Sequence, residues 1–158
     1  MAIHHYENFP VASVLLPPRF RDAVALIYAF ARQADDFADE GEVPDAERLA
    51  RLARFGEELD CVEQGRNPQT PLFRSLAVVI ARHGLPVAAF RDLLSAFAQD
   101  VTKKRYGNFA EVLDYCARSA NPVGRLLLTL YGAATPENLA YSNAVCSSLQ
   151  IINFLQDI

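Results

Sequence analysis

Between Ile27 and Glu42 the chain reads IYAFARQADDFADEGE, a largely apolar helical pattern that ends in five carboxylates. Residues three or four apart share one helix face, so Tyr28, Arg32, Asp35 and Asp39 form one polar stripe. Leu26, Phe30 and Phe37 recur at the same spacing on another face, which predicts a helix buried on more than one side. Gly41 terminates it, leaving Asp35, Asp36, Asp39 and Glu40 at the carbonyl end, where the helix dipole repels anions. The pairs Asp35/Asp39 and Asp36/Glu40 also repel each other at i,i+4. A positive group is therefore expected nearby. Carboxylate oxygens suit Mg²⁺, which takes one or two protein carboxylates and leaves its other positions to water and substrate phosphate. A solvated acidic helix end is the structural alternative.

The rest of the chain reads as helices separated by turn signals. The first runs from about Arg19 to Glu40 after Pro17 and Pro18, and a second begins near Asp45, a candidate N-cap, with Leu49, Leu52, Phe55, Leu59 and Val62 on one face before Gly65. Thr70 and Pro71 open a third, ended by Gly84, and Pro86 opens a fourth with Phe90, Leu93, Leu94, Phe97 and Val101 as its apolar stripe. Asp100, Lys103, Lys104 and Arg105 follow its lower end, where cations complement the dipole and could also reach a diphosphate. After a turn at Tyr106 to Asn108, helical pattern resumes until Asn121–Pro122, where the proline must break or kink it. The last helix starts at Thr135–Pro136 and places Gln150, Asn153 and Asp157 on one polar stripe of an otherwise apolar body. Buried, that stripe needs a metal, a polar ligand or a matching polar face. The pattern breaks off at Ile158 without a terminating residue, so the chain is expected to be a fragment. With no period-2 segment, the fold class is all-α, with the two polar stripes expected to face each other across a central cavity.

The chain has 158 residues, 51% of them hydrophobic, enough for one domain with a sizeable core. A net charge of −4 with no long basic run gives no electrostatic footprint for nucleic acid. Cys61, Cys116 and Cys146 lack metal-ligand spacing and read as reduced thiols in a cytoplasmic protein. His4 and His5 lack a third ligand at helical spacing, so a locally bonded N-terminus accounts for them. No signal peptide or membrane-spanning run is present. No Gly-rich dinucleotide fingerprint follows a strand, so NADPH is not expected.

Taken together, DDFAD (Asp35 to Asp39) preceded by IYAFAR, and QIINFLQD (Gln150 to Asp157), resemble the motifs of the squalene and phytoene synthase family of isoprenyl diphosphate synthases. HYENFPVAS near the start and RSANPVGRLLL (Arg118 to Leu128) look most like the bacterial hydroxysqualene synthases of hopanoid biosynthesis. The resemblance implies an all-α isoprenoid-synthase bundle around a deep apolar cavity, of which residues 1–158 are the N-terminal portion, truncated at the second aspartate motif. It implies that Asp35 and Asp39, with Asp36 beside them, bind Mg²⁺ bridging the substrate diphosphate, that Asp157 opens the second aspartate motif, and that two or three ions are held in all. Asn153 joins the metal set, and Gln150 and Asn153 match the polar residues before that motif. Tyr28 and Arg32 match the aromatic and cationic residues before the first. Tyr115 matches the family's YC tyrosine, Val123 and Gly124 follow at the kink, and Phe9, Tyr28 and Tyr115 are the aromatic faces toward a carbocation. Tyr28, Arg32, Asp35, Asp39, Tyr115, Asn153 and Asp157 form the implied catalytic set.

The implied reaction is Mg²⁺-dependent conversion of presqualene diphosphate to hydroxysqualene with release of diphosphate. Two alternatives stay open: head-to-head condensation of two prenyl diphosphates such as farnesyl diphosphate, and a non-catalytic helical bundle that binds prenyl lipids or partner helices. A cytoplasmic location is expected. Peripheral contact with the inner membrane and self-association through an exposed apolar face are left open.

Overall fold

The computed structural model describes residues 16–103 and 105–156, the side chain of Phe154 apart. Among them are seven helices and no strand: α1 (Pro18–Asp39), α2 (Asp45–Glu63), α3 (Pro71–His83), α4 (Val87–Thr102), α5 (Phe109–Ser119), α6 (Asn121–Leu130) and α7 (Pro136–Gln156). The all-α expectation holds, and most boundaries fall within a residue or two of the turn signals. The fourth helix is shorter than its sequence pattern: it stops at Thr102, and Lys103 is already extended.

Two caps differ from expectation. Asp45 is the first helical residue after the N-cap Pro44 and makes no capping bond, and the Thr70 side chain makes none either. Real caps sit at Asn108, whose side chain accepts the Glu111 N–H at 3.0 Å, and at Thr135, whose hydroxyl accepts the Asn138 N–H at 3.2 Å. Gly84 adopts φ +63, the left-handed conformation a side chain resists, and this lets Leu85 N–H bond back to the Ile80 carbonyl at 3.0 Å. Pro122 falls in the first turn of α6, so the chain is broken rather than bent at Ala120, as the missing backbone donor requires.

The core is organised around α1. It buries Phe20, Ala23, Val24, Ile27, Phe30, Ala34 and Ala38, more than one face's worth, and is covered by α2, α3 and α4. Phe30 is fully buried, with its ring centroid 5.7 Å from Phe55, 5.9 Å from Phe73 and 5.1 Å from Phe90, so a single side chain ties α1 to three other helices. Arg91 on α4 donates to Asp60 and Glu63 on α2, each at 2.7 Å. Glu58 is buried amid this core, and both its oxygens accept the Gln69 N–H at 3.1 and 2.9 Å, pinning the α2–α3 loop. A carboxylate in an apolar stripe gave no sign of that role in the sequence.

Helix α7 lies against α5 and α6 and is built differently. Tyr141, Val145, Leu149, Ile152 and Leu155 are all exposed along it. At the α6–α7 contact, a Cβ on Gly124 would collide with Ser142 Oγ and come within 3.0 Å of Cys146 Sγ, so any larger residue there requires these side chains or the helices to shift.

The cation that the acidic end of α1 demands is Arg48 of α2. Its Nη1 donates to the Ala38 carbonyl at 2.6 Å and its Nη2 to the Gly41 carbonyl at 2.7 Å, while Nε reaches the Val43 carbonyl at 3.3 Å. One guanidinium thus satisfies the Ala38 carbonyl, one of those that the end of a helix leaves without partners, together with carbonyls of the turn that follows. Arg48→Met, which keeps the aliphatic stem, is expected to lower stability by about 1–2 kcal/mol and to speed amide exchange at Asp39 to Gly41. Hydrogen exchange by NMR checks this, and unchanged protection there would refute the capping role.

Candidate active site on the acidic stripe of α1

The carboxylates of α1 are arranged around Arg32. Its Nε pairs with Asp36 Oδ1 at 3.0 Å, Nη2 reaches Glu40 Oε1 at 3.5 Å, and Nη1 lies 3.9 Å from Asp35 Oδ2. Asp36 is therefore the acid that the arginine holds, and Asp35 is left with a long, weak contact. The consequence is electrostatic. Burial, then the charge of Asp39, push the Asp35 carboxyl up to about 6, against the pull of Arg32, with Asp36 and Asp100 adding to the rise.

Asp100 belongs to α4, in its last turn, and it extends the site to α5. Its Oδ2 accepts the Tyr115 hydroxyl at 2.7 Å. Burial first, and then Asp100, hold the Tyr115 hydroxyl well above the usual tyrosine range, so it stays protonated. Tyr106 stands beside it, ring centroids 5.6 Å apart, and its hydroxyl is also raised, by burial first and next by Asp100. Lys103 lies 5.1 Å over the Tyr106 ring and donates to Glu111 at 2.6 Å. The structure thus uses Lys103 to fasten the α4–α5 turn. Arg118 braces the same pair of helices, donating to Asp114 at 2.7 Å, to Ser95 at 2.9 Å and to Gln99.

Of the residues singled out in the sequence, Tyr28, Arg32, Asp35, Asp36 and Asp39 share α1, and Tyr115 is joined to their field through Asp100. Val123 packs on the core from α6, and Gly124 faces α7. Gln150 is half-buried and Asn153 exposed on α7. Phe9, Lys104 and Asp157, with His4 and His5, lie outside the described residues. A cleft of about 890 Å³ opens on the other side of α1, lined by Gln33, Phe37, Arg51 and Arg66 among others, and is separate from the acidic stripe. Asp100 is the residue that sequence reasoning passed over. Its signal was the same as that of Asp35 and Asp39, an anion in the last turn of an apolar helix.

The donor set fits a divalent cation. A half-buried carboxylate such as Asp35, whose proton affinity is raised by burial and then by the charge of Asp39, is relieved by a bound cation. Among the described residues no cluster of three or more acids, histidines or cysteines is placed to hold an ion by itself. Asp35 and Asp39 would therefore supply one or two oxygens to Mg²⁺, with water and phosphate oxygens completing the shell, as that ion prefers.

The raised Asp35 carboxyl gives a pH prediction. Its folded value near 6 exceeds the ordinary 3.8, so the native state binds the proton more tightly than the unfolded chain. The stability contributed by protonated Asp35 is present below about pH 4 and is lost as the pH rises through about 6. With the side chain 46% exposed, solvent screening cuts the effect to about 1 kcal/mol. Asp35→Asn is expected to stabilise the metal-free chain by that amount at pH 7.5 and by little at pH 4, read from urea denaturation at both. An equal effect at the two pH values would contradict it.

The squalene/phytoene synthase family matches residues 3–158. The hydroxysqualene synthase of Sinorhizobium fredii is 40% identical over 156 residues, covering 99% of this chain and 52% of that protein. The hydroxysqualene synthase of Rhodopseudomonas palustris is 43% identical over 154 residues, covering 98% of this chain and 51% of that protein. The crystal structure of squalene synthase HpnC from Alicyclobacillus acidocaldarius superposes with a TM-score of 0.87 at 39% identity, over 97% of this chain and 57% of that one. The chain spans about half the length of the curated relatives it matches. With a family match over nearly all its residues and the helical squalene synthase fold, the chain belongs to the squalene/phytoene synthase family.

Proposed function

We propose that this chain carries the first aspartate motif of an Mg²⁺-dependent enzyme that converts presqualene diphosphate to hydroxysqualene and diphosphate, in squalene and hopanoid biosynthesis. The observation that carries the reading is the state of Asp35: a carboxylate raised by burial first and then by Asp39, with the opposing pull of Arg32 too small to cancel them. Identity of 40–43% to two hydroxysqualene synthases supports the choice of product.

When bound, Mg²⁺ supplies Lewis-acid neutralisation of the leaving diphosphate. The residues of the chain do the rest. Asp35 and Asp39 would hold the ion, and Arg32 adds a fixed positive charge beside them that favours the diphosphate end of the substrate. The carbon–oxygen bond breaks with its electron pair leaving on diphosphate, and water adds to the resulting carbocation and loses a proton. The rings of Tyr28 and Tyr115, with Phe9 as a third candidate, stabilise positive charge on the hydrocarbon by about 0.5–2 kcal/mol each. Gln150, Asn153 and Asp157 are assigned to the second metal-binding stripe, with Val123 and Gly124 lining the substrate path at the α5–α6 break. The oxygen comes from water, so no NADPH is required. No helix of the described residues is long and apolar enough to cross a membrane.

The test is to supply presqualene diphosphate to the full reading frame that encodes the chain, with Mg²⁺ and then with a chelator, and to identify the extracted product by mass. Metal-dependent hydroxysqualene is expected. Consumption of farnesyl diphosphate in its place would move the protein to the condensing branch of the family. Asp35→Asn with Asp39→Asn is expected to lower kcat/KM on the order of 1,000-fold, equivalent to several kcal/mol, and to abolish the Mg²⁺-dependent thermal shift given by inorganic diphosphate. Unchanged diphosphate binding together with higher stability would favour a non-catalytic bundle.

A further inference from the structure

We propose that the cleft across α1 from the acidic stripe is a second binding site, fitted to an amphiphile whose head carries both a phosphate and an ammonium group. The inference stands apart from the function proposed above, because it uses none of the residues assigned to that function.

At about 890 Å³ the cleft has the size of a small-molecule pocket. Its apolar wall comes from Phe37 on α1, Phe55 on α2 and Leu72 on α3. Its charged lining is balanced, with Arg51, Arg54 and Arg66 set against Glu57, Glu58 and Asp60. These groups do not neutralise one another inside the cleft. Asp60 is taken by Arg91 at 2.7 Å, and Arg51 Nε by Glu47 at 3.0 Å. Arg66 donates from Nε to Gln64 at 2.9 Å. A guanidinium has five N–H donors, and among the described residues the terminal nitrogens of Arg51 and Arg66 have no partner.

Arg54 and Glu58 decide what kind of ligand fits. They stand at i,i+4 on one face of α2, about 6 Å apart along its axis, where opposite charges ordinarily pair. Here they do not. Arg54 is 66% exposed and reaches only Glu47, at 3.9 Å, while Glu58 is 8% exposed and turns to the Gln69 N–H. That single N–H serves both oxygens of a carboxylate able to accept about four hydrogen bonds. A buried acid lining a cleft is thus left short of donors. An ammonium group would supply them, and a phosphate beside it would take the N–H groups that the three arginines leave unused. A simple anion is repelled by Glu57 and Glu58, and a simple cation by the arginines, so a head with both charges fits where either alone does not. The hydrocarbon attached to such a head meets Phe37, Phe55 and Leu72.

Cys61 lines the same cleft and is half-buried, so its alkylation rate reports occupancy. In the 158-residue chain, lysophosphatidylethanolamine below its micelle concentration is expected to slow iodoacetamide labelling of Cys61 about tenfold near saturation, read by peptide mass spectrometry. Cys146, also half-buried but on α7, is the internal reference and should be unaffected. Phosphoethanolamine has the head without the tail, and octyl glucoside has a tail without the charges. Protection by either equal to that of the lysolipid, or no protection by the lysolipid, would overturn the proposal. Arg54→Gln is expected to weaken lysolipid binding about tenfold without moving the melting temperature, because its side chain makes only the long Glu47 contact. Glu58→Gln keeps an oxygen for the Gln69 N–H and removes the charge. The wild type should prefer lysophosphatidylethanolamine to lysophosphatidic acid, which lacks the ammonium group, about tenfold, and Glu58→Gln should abolish that preference. A wild type that prefers lysophosphatidic acid, or a preference that survives in folded Glu58→Gln, would count against the site. If Glu58→Gln does not melt cooperatively, the wild-type preference and Arg54→Gln decide by themselves.

Discussion

The structure depends on keeping the carbonyl end of α1 in place despite the anions gathered there. Five carboxylates follow one another where the helix dipole is most hostile to them, and left alone that end would fray. Two arginines from different directions hold it. Arg48 takes the Ala38 and Gly41 carbonyls and Arg32 takes Asp36 and Glu40, while the Phe30 cluster anchors the same helix between two and three turns earlier. Arg32 makes its short contact with Asp36 and reaches Asp35 only at 3.9 Å, and its pull there does not cancel burial and the charge of Asp39. The fold thus stabilises the helix without neutralising the acids that would bind a cation.

That division separates scaffold from site along a single helix. The Ala34, Ala38 and Phe30 side packs against α2, α3 and α4 and sets where the stripe lies; Tyr28, Arg32, Asp35 and Asp39 form the polar stripe outside that packing. The second wall comes from α4 and α5, whose turn is closed by Asn108, Glu111 and Lys103 and so brings Tyr115 back over Asp100. Glu111 accepts from both Lys103 and the Gly107 N–H, which holds its carboxyl below the usual range. An otherwise ordinary surface turn therefore controls the distance between two walls of the site.

Much of this was legible in the residues. The helices could be placed because Pro71, Gly84, Pro122 and Pro136 punctuate them, and α1 could be singled out because acids at a carbonyl end need an explanation. Three things were less accessible. Glu58 and Asp100 are acids whose partners, the Gln69 N–H and the Tyr115 hydroxyl, lie 11 and 15 positions away, beyond the reach of helical spacing. Capping at Asp45 and Thr70 was expected from residue type alone, yet neither side chain makes the bond. Lys103 read as a dipole partner or a diphosphate ligand, and the early end of α4 put it on Glu111 instead. In each case a local rule yielded to a contact made across the fold.

The close approach of α6 and α7 at Gly124 has a geometrical consequence for the helix that carries Gln150 and Asn153. Ser142, the residue nearest the glycine, stands eight positions before Gln150, roughly 12 Å along the helix axis. A methyl group at 124 thus has to be absorbed either by the Ser142 and Cys146 side chains or by the spacing of α6 and α7, on the helix that carries Gln150 and Asn153.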